Sequence, residues 1–263
     1  MGRWLRVLGT GGGFISFAAG SAVISWFIVP YLALRHRRQP YLARVAAYQR
    51  VMLAAYRSFM GVLRVYGVSR FERRELQGRP PGAFVLVSNH PSLLDVIVVL
   101  ATVPGVCCVV RSGLFDLPFL GPLLRGAGYI PGPGAEAEEG DSPILDRIVE
   151  RLDQGLPVLV FPEGSRSPEG GLRRFRRGAV EAALRAGVPI LPALVRCDPS
   201  TLRKGQPWYD VPDRRFTLTV DFLPVMTPPS GAGSRELTQE LAALYRERIS
   251  AAAAASLAAG EGR

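Results

Sequence analysis

The chain has 263 residues, 48% of them hydrophobic, which fits one α/β domain with an appendage and excludes a disordered chain. The formal net charge of +10 is almost all arginine, because Lys204 is the only lysine, and it indicates an anionic partner: nucleic acid, an anionic membrane or an acidic ligand. The three cysteines lack C-x-x-C spacing, which predicts reduced core residues in a cytosol-facing domain and argues against a zinc site.

An uncharged segment, Val7–Leu34, comes near the start of the chain with arginines on both sides. This segment is longer than a membrane-spanning helix, which needs about 20 apolar residues. No clear cleavage site follows it, so a membrane anchor is favoured over a signal peptide. Glycines at 9 and 11–13 resemble a dinucleotide loop, but no strand precedes them, which favours small residues in a membrane helix. The basic flanks are nearly balanced, so whether the anchor spans the bilayer or enters one leaflet stays open.

A second helix is predicted over Tyr41–Tyr66, where apolar residues recur at helical spacing beside a stripe of arginines at 44, 50, 57 and 64. Such a stripe suits the membrane interface, although a solvated face of a helix packed on the following domain is the alternative. We therefore divide the chain into an anchor with an interfacial helix, residues 1–67, and a larger domain, residues 68–263.

Strand and helix signals then alternate, which indicates an α/β domain. The predicted strands are Val68–Leu76, Phe84–Val87, Val106–Val110, Pro157–Phe161, Pro189–Val195 and Phe216–Phe222. The predicted helices are Leu93–Val103, Ser142–Leu152, Gly178–Arg185 and Ser234–Ala255. The Gly/Pro run over 128–134 and the acidic segment Glu136–Asp141 are interpreted as a flexible connection. Cys197–Arg215 is either an ordered loop lining the site or a plain surface loop.

The strand Phe84–Val87 ends at a polar cluster that contains His90, and Ser92 then has the properties of a helix N-cap. If Ser92 opens the helix, Asp95 falls in its first turn and His90 at the strand's carboxyl end. The carboxylate can then bind one imidazole nitrogen, which fixes the tautomer and leaves the other nitrogen free to take a proton. The pattern favours a general base acting on an alcohol, with a non-catalytic loop pair as the alternative.

A second strand, Pro157–Phe161, also ends in a polar loop, P-E-G-S-R-S, that contains Glu163 and Arg166. Ligands of open α/β sheets lie beyond the carboxyl ends of the strands, so both loops are expected to face one site. Arginines at 173, 174, 176 and 177 precede the helix that begins at Gly178. They suit either a phosphate at the helix start or attraction to anionic lipid.

These blocks resemble the glycerolipid (lysophospholipid) acyltransferase family, which includes the 1-acylglycerol-3-phosphate acyltransferases. N-H-P-S-L-L-D, ending at Asp95, matches the family's H-x-x-x-x-D motif, and F-P-E-G-S-R-S is similar to F-P-E-G-T-R-S, with Ser165 for threonine. V-P-I-L-P from Val188 resembles the late V-P-I-x-P block, and F-R-R-G resembles F-K-x-G, with Arg176 for lysine. The resemblance covers roughly residues 84–195. It implies a mixed, mostly parallel sheet flanked by helices, with an N-terminal two-helix membrane anchor.

The resemblance also implies a membrane-associated O-acyltransferase that moves a fatty acyl group from acyl-CoA or acyl carrier protein to a lysophospholipid hydroxyl, with 1-acylglycerol-3-phosphate favoured. His90 is then the general base and Asp95 orients it. Substrate binding falls to Glu163, Gly164, Ser165, Arg166 and Arg176. No metal or cofactor is implied. The expected partners are membrane lipid and the acyl donor, not nucleic acid, and the catalytic domain is expected to face the cytoplasm, where the donors are.

One departure concerns the family's second block, which Arg111–Gly128 resembles. In many members the following strand ends in an arginine thought to contact the acceptor phosphate, but this chain has glycine and proline there. Arg111 or Arg125 could substitute, or the acceptor could be another lipid, such as an aminolipid. A non-catalytic, basic membrane-binding protein or a nucleic-acid binder is the alternative from another class. A serine hydrolase is disfavoured because G-x-S-x-G is absent.

Overall fold

The computed structural model describes residues 2–73, 78–132, 143–229 and 231–260. Its first helix runs from Arg3 to Arg35, as α1 (Arg3–Val23), a π-helical turn (Ile24–Ile28) and α2 (Val29–Arg35). The wide turn comes just before Pro30, which has no N–H to continue the α-helical pattern. By length and composition this N-terminal helix could cross a bilayer. Its glycines at 9–13 are helical, which excludes a dinucleotide loop.

The second helix, α3 (Tyr41–Val65), packs against α1, and the glycines of α1 make this approach possible. A Cβ added at Gly13 would lie 2.6 Å from Leu63 Cδ2, and one added at Gly9 would lie 2.7 Å from Val68 Cγ2. Phe17 packs edge-on against Phe59, with ring centroids 5.3 Å apart. Small residues therefore let the two helices form a closely packed pair.

The N-terminal helix buries several polar side chains against the protein, together with Val29 and Leu32 of α2, and exposes most of its large apolar side chains. Its buried positions include Arg6, Thr10, Ser21 and Ser25, whereas large apolar side chains on the other side are exposed: Trp4, Leu8, Ile15, Trp26, Phe27, Tyr31 and Leu34. Soluble proteins bury the apolar stripe of a surface helix. This reversed pattern leaves a long apolar surface in contact with whatever surrounds the protein.

The described strands form one seven-stranded sheet in the order β1-β7-β6-β2-β5-β3-β4. They are β1 (Ser69–Arg73), β2 (Val85–Ser88), β3 (Cys107–Val110), β4 (Ile130–Pro131), β5 (Val158–Val160), β6 (Ile190–Asp198) and β7 (Phe216–Phe222). All neighbours are parallel except β6 and β7. The prediction of a mixed, mostly parallel sheet flanked by helices is therefore confirmed.

Helices cover both faces of this sheet and bury two apolar clusters. They are α4 (Asp95–Thr102), α5 (Gly121–Gly126), α6 (Pro143–Asp153), α7 (Gly178–Ala186) and α8 (Ser234–Gly260). Strand residues alternate between the faces: Leu86 packs in the cluster with α3, α4 and α5, and Val85 in the one with α6, α7 and α8. Because α3 contributes Ala47, Tyr48 and Met52 to the first cluster, the division at residue 67 is not a break in the core. That division stays a prediction.

Three local predictions need correction. Ser92 is not the N-cap of α4, which begins at Asp95, because the Asp95 carboxylate accepts the Ser92 amide and holds the preceding residues in a turn. The Gly/Pro run is not wholly a flexible connection, since Ile130–Pro131 pairs with β3 as an edge strand. Strand β6 extends to Asp198 because it pairs with β7 along that length. The acidic segment at 136–141 lies outside the described residues.

Candidate active site

Three adjacent parallel strands, β2, β5 and β3, end at the same edge of the sheet. His90 follows β2, Glu163 and Arg166 follow β5, and Arg111 follows β3 directly. The order of the strands therefore brings together loops that are far apart in the sequence, as expected for a site beyond the carboxyl ends of parallel strands.

The His90–Asp95 pair lies at the centre of this edge. His90 Nδ1 is 2.9 Å from Asp95 Oδ2, the same oxygen that accepts the Ser92 amide at 2.6 Å. The imidazole packs against the Phe161 ring with centroids 4.5 Å apart, and 18% of the His90 side chain is exposed. With Nδ1 donating to the carboxylate, Nε2 is the nitrogen that can accept a proton.

The Asp95 carboxyl is fully buried. Burial raises its pKa, and the hydrogen bonds from His90 and the Ser92 amide oppose that shift. Its Oδ1 has no hydrogen-bond partner among the described residues. A buried carboxylate held this way stabilises a positive charge on its one ionisable partner, the imidazole.

Glu163 joins the two loops. Its Oε1 accepts the His90 amide at 3.0 Å and the Ser167 hydroxyl at 2.6 Å, and its Oε2 accepts the Arg173 amide at 2.7 Å. The Ser167 amide in turn donates to the His90 carbonyl at 2.7 Å. The buried Glu163 carboxylate thus sets the position of His90, and its direct contact with a substrate stays a prediction.

Arg166 is tied to the segment after β6. Its Nη1 donates to the carbonyl oxygens of Leu202 and Arg203 at 2.7 and 2.9 Å. Its Nε and Nη2 make no hydrogen bond to a described residue, so this edge of the guanidinium has two donors for an anion. Burial lowers the pKa of Arg166, the Arg111 charge lowers it further and Asp95 raises it.

Arg111 and Arg125 differ in what they offer to a ligand. The Arg125 guanidinium donates to the Phe115 carbonyl at 2.7 Å and packs over Gly121, so it holds the turn before α5. Arg111 is exposed at the end of β3, and its charge is close enough to affect the pKa of Arg166. Of the two candidate substitutes, Arg111 is the one at the site.

The remaining predicted residues lie around the loop after β5. Gly164 has a φ of 66°, and a Cβ there would lie 3.2 Å from the Arg176 guanidinium, so glycine is needed for both reasons. Ser165 is half-buried and makes no hydrogen bond to a described residue. A polar hollow of about 370 Å³ adjoins Ser167, and its charged lining consists of Arg173, Arg203 and Lys204 together with Glu169 and Asp210.

Two supporting residues were not predicted from the sequence. The Asn89 amide extends the strand pairing, with Nδ2 donating to the Val195 carbonyl and Oδ1 accepting its amide, at 2.9 and 2.7 Å. Tyr245 of α8 donates its hydroxyl to the Val87 carbonyl at 2.8 Å and accepts the Ala193 amide at 3.0 Å. The position of Asn89 next to His90 could have indicated its supporting role. No feature of the sequence around Tyr245 indicates that it contacts the site strands.

No group of three His, Cys, Asp or Glu side chains that could hold a metal ion occurs in the described part of the chain. The absence of a metal or cofactor requirement stays a prediction. The three cysteines are free, and burial raises the pKa of the Cys107 thiol to about 12, so it is protonated at neutral pH.

Curated proteins similar to this chain include several 1-acyl-sn-glycerol-3-phosphate acyltransferases. The chloroplastic LPAT1 of Arabidopsis thaliana is 26% identical over 184 residues, which cover 68% of this chain and 49% of that protein. The alpha enzyme of Homo sapiens is 32% identical over 155 residues, covering 58% and 52%. The Pseudomonas aeruginosa protein is 29% identical over 169 residues, covering 64% and 62%. The chain thus spans about half the length of the first two of these relatives.

Among solved structures, the 1-acyl-sn-glycerophosphate (LPA) acyltransferase PlsC from Thermotoga maritima superposes with a TM-score of 0.70. The superposition covers 95% of this chain and 98% of that one at 20% identity, which shows a shared fold. The family model described as Acyltransferase matches residues 62–196, a range that contains His90, Asp95, Arg111, Glu163 and Arg166. The chain therefore belongs to the acyltransferase family.

Proposed function

We propose that this protein is a membrane-associated O-acyltransferase that moves a fatty acyl group from acyl-CoA or acyl carrier protein to the hydroxyl of 1-acylglycerol-3-phosphate. The observation that carries the proposal is the 2.9 Å contact between His90 Nδ1 and Asp95 Oδ2 at the sheet edge where Arg166 and Arg111 also lie. The names of the relatives from Arabidopsis thaliana, Homo sapiens and Pseudomonas aeruginosa support this acceptor.

In the proposed reaction His90 is the general base and Asp95 its positioning residue. Nε2 of His90 takes the proton from the acceptor hydroxyl while that oxygen attacks the thioester carbonyl. The tetrahedral intermediate then breaks its C–S bond, and the departing thiolate takes the proton from the imidazolium. Asp95 stabilises that imidazolium, and base catalysis of this kind contributes about 100- to 10,000-fold. The thioester is already activated, so no acyl-enzyme is needed.

The acceptor phosphate is proposed to bind the two arginines. The Nε and Nη2 donors of Arg166 suit two phosphate oxygens, and Arg111 adds a second positive charge from the neighbouring strand end. Glu163, Gly164 and Ser165 shape the loop between them, and Arg176 covers Gly164. In this proposal Arg111 takes the place of the arginine missing after β4.

The membrane is the proposed location, with the catalytic domain on the cytoplasmic side and the N-terminal helix as anchor. Support comes from the polarity of that helix, which buries Arg6, Thr10, Ser21 and Ser25 and exposes most of its large apolar side chains. The helix also docks along its length: Arg6 Nε donates to the Pro212 carbonyl and Ser25 Oγ to the Phe119 carbonyl. These contacts are about 28 Å apart at 1.5 Å per residue. If a helix held at both of these contacts crossed the bilayer, the catalytic domain would have to enter the bilayer with it. We therefore infer that the helix lies in one leaflet.

A different acceptor is the second candidate, because Gly132 rather than an arginine follows β4. An aminolipid or another lysolipid without a terminal phosphate would then use the same base. A non-catalytic membrane-binding role is the third, and it leaves the His90–Asp95 contact without a purpose.

The test uses protein in nanodiscs with a labelled acyl thioester, supplied as CoA or carrier-protein conjugate. Lysophosphatidic acid, a zwitterionic lysophospholipid and a lysolipid without phosphate are offered in parallel. We expect transfer to lysophosphatidic acid, its loss in His90→Ala, and a raised acceptor KM in Arg111→Ala with Arg125→Lys as the matched control. Transfer only to another acceptor overturns the substrate, and transfer by His90→Ala at the wild-type rate overturns the base.

A further inference from the structure

The chain between β6 and β7, residues 199–215 and here named the β6–β7 segment, joins the candidate site to the N-terminal helix. At one end, the Leu202 carbonyl accepts the Leu93 amide at 3.3 Å and Arg166 Nη1 at 2.7 Å. At the other end, the Pro212 carbonyl accepts Arg6 Nε at 2.9 Å. The whole segment lies beyond residues 62–196, the range that the family model matches.

The tip of the segment packs onto the outward side of the N-terminal helix. A Cβ added at Gly11 would lie 3.1 Å from Trp208 Cζ3, so the indole rests directly on that glycine. Gly11 shares one helical stripe with Leu8 and Ile15, which are 69% and 71% exposed. The Trp208 ring therefore continues the exposed apolar surface of the helix rather than burying it.

The aromatic tip has its own exposed surface. Trp208 and Tyr209 are 47% and 57% exposed, and their rings meet edge-on with centroids 5.7 Å apart. Trp208 also meets Phe14 edge-on at 6.5 Å. Tryptophan and tyrosine combine an apolar ring with a polar group and are enriched where lipid meets water.

Basic side chains accompany these rings. The segment contains four basic residues, Arg203, Lys204, Arg214 and Arg215, against Asp210 and Asp213. Arg203 pairs with Glu169 and Arg214 with Asp198, so the attraction to an anionic surface comes from Lys204, Arg215 and the net charge of +10 on the whole chain. Lys204, Arg214 and Arg215 are exposed. A basic, aromatic surface that continues an apolar helix face complements an anionic bilayer better than it complements bulk water.

We propose that the β6–β7 segment is a second membrane contact, in which Trp208 and Tyr209 enter the interface of an anionic bilayer beside the N-terminal helix. This rests on the proposed membrane-bound acyltransferase function and adds the surface that faces the lipid. Arg166 and Leu93 bind the other end of the segment, at Leu202. Insertion of Trp208 and Tyr209 therefore holds the His90 side of the sheet edge close to the bilayer surface. A lysolipid acceptor then reaches His90 from the leaflet without leaving it.

The first test follows the environment of Trp208. In a Trp4→Phe/Trp26→Phe protein it is the one tryptophan, and its emission is recorded with vesicles of neutral lipid, of anionic lipid, and of anionic lipid with brominated chains. We expect a blue shift that is larger with anionic vesicles, quenching by the brominated chains, and a weaker effect at high salt.

The matched control moves the tryptophan to the other face of the sheet. A Trp4→Phe/Trp26→Phe/Trp208→Phe/Asp146→Trp protein carries it on α6, where Asp146 is 81% exposed. It binds the same vesicles through the N-terminal helix and should show no quenching. Equal quenching at both positions, or no change at Trp208 while vesicles bind, overturns the proposal. So does a Trp208 shift caused by an acidic carrier protein and not by lipid.

The second test separates this contact from catalysis. Trp208→Ala/Tyr209→Ala should weaken vesicle binding roughly tenfold and raise the apparent KM for a long-chain acceptor in vesicles. Its kcat for a short-chain, monomeric acceptor should stay within about twofold of wild type, since neither residue contacts the base. Loss of both activities to the same degree overturns the proposal. If the wild type transfers no acyl group, the function fails while the fluorescence test still decides the contact.

Discussion

At the scale of single residues, the charge of Asp95 is the feature on which the proposed chemistry depends. Asp95→Asn should lower kcat by about 100- to 10,000-fold. If the amide oxygen faces His90, the tautomer survives but the imidazolium loses its counter-charge. If the amide nitrogen faces it, the tautomer is wrong. The measurement is single-turnover acyl transfer, and a rate within about twofold of wild type would contradict the role.

The same substitution should not cost stability at neutral pH. Burial raises the pKa of Asp95 in the folded protein, so the folded state binds its proton more tightly than the unfolded chain, whose carboxyl has a pKa of about 4. The wild type therefore loses stability as the pH rises from about 4 through the folded pKa, and Asp95→Asn does not. Denaturant unfolding in detergent should show that the free energy of unfolding of the variant rises relative to that of the wild type over this pH range. A constant difference would contradict the raised pKa.

Glu163 should contribute to stability, because its carboxylate holds the loops after β2 and β5 together. In Glu163→Gln one amide oxygen can still accept the His90 amide and the Ser167 hydroxyl, but the NH₂ group then faces the Arg173 amide, so two donors meet. We expect a loss of about 1–3 kcal/mol in the free energy of unfolding together with lost activity. Glu240→Gln, at an exposed position of α8, is the matched control. A stable but inactive Glu163→Gln protein would instead favour direct contact with the acceptor.

These residues show which parts of the candidate site could be predicted from the sequence. His90 and Asp95 were predictable because both belong to one short stretch, where strand end and helix start fix their relative place. The partners of Glu163 were not, since they lie on another loop whose position depends on the strand order β2-β5-β3. The start of α4 was misplaced because Asp95, and not Ser92, supplies the side chain that closes the turn.

At the scale of elements, the glycines of α1 decide how closely it packs. Gly9→Ala places a methyl group 2.7 Å from Val68 Cγ2 and 3.1 Å from the Tyr66 carbonyl oxygen, so the helix must move outward. Gly20→Ala meets nothing within 4 Å and should gain up to about 1 kcal/mol from helix propensity. Thermal unfolding in detergent should therefore move in opposite directions for the two variants. Equal shifts would mean that the helix does not dock as described.

The apolar composition of this helix predicted a membrane segment but not its orientation on the domain. The composition of a helix does not say which side of it is polar, whereas its orientation on the domain depends on the side that carries Arg6, Thr10, Ser21 and Ser25. Those polar residues are spaced for one helical face, and Arg6 and Ser25 donate to backbone carbonyls of the catalytic part. The spacing is readable in the sequence, and its partners are visible only in the fold.

At the scale of the whole molecule, contacts join three parts of the protein that are far apart in the sequence. The outward side of the N-terminal helix carries the apolar surface, Trp208 continues it, and Arg166 ties the Trp208 segment to the loop beside His90. These contacts join the edge of the sheet that carries His90 to the exposed apolar surface of the N-terminal helix. Under the proposed function, this link brings a lipid acceptor to His90 without a passage through water.

This arrangement predicts that both ends of the N-terminal helix lie on one side of the membrane. In a Cys197→Ala protein, with Cys107 and Cys108 buried, single cysteines are placed by Arg3→Cys, Arg38→Cys and, as a reference on the catalytic domain, Asp146→Cys. A membrane-impermeant maleimide added to cells, spheroplasts or inverted vesicles reports the side of each. We expect all three to react only in inverted vesicles, because contacts at Pro212 and Phe119 hold the helix against a domain that cannot enter the bilayer. Labelling of position 3 from the opposite side to position 38 would mean that the helix spans the membrane and leaves the domain surface described here.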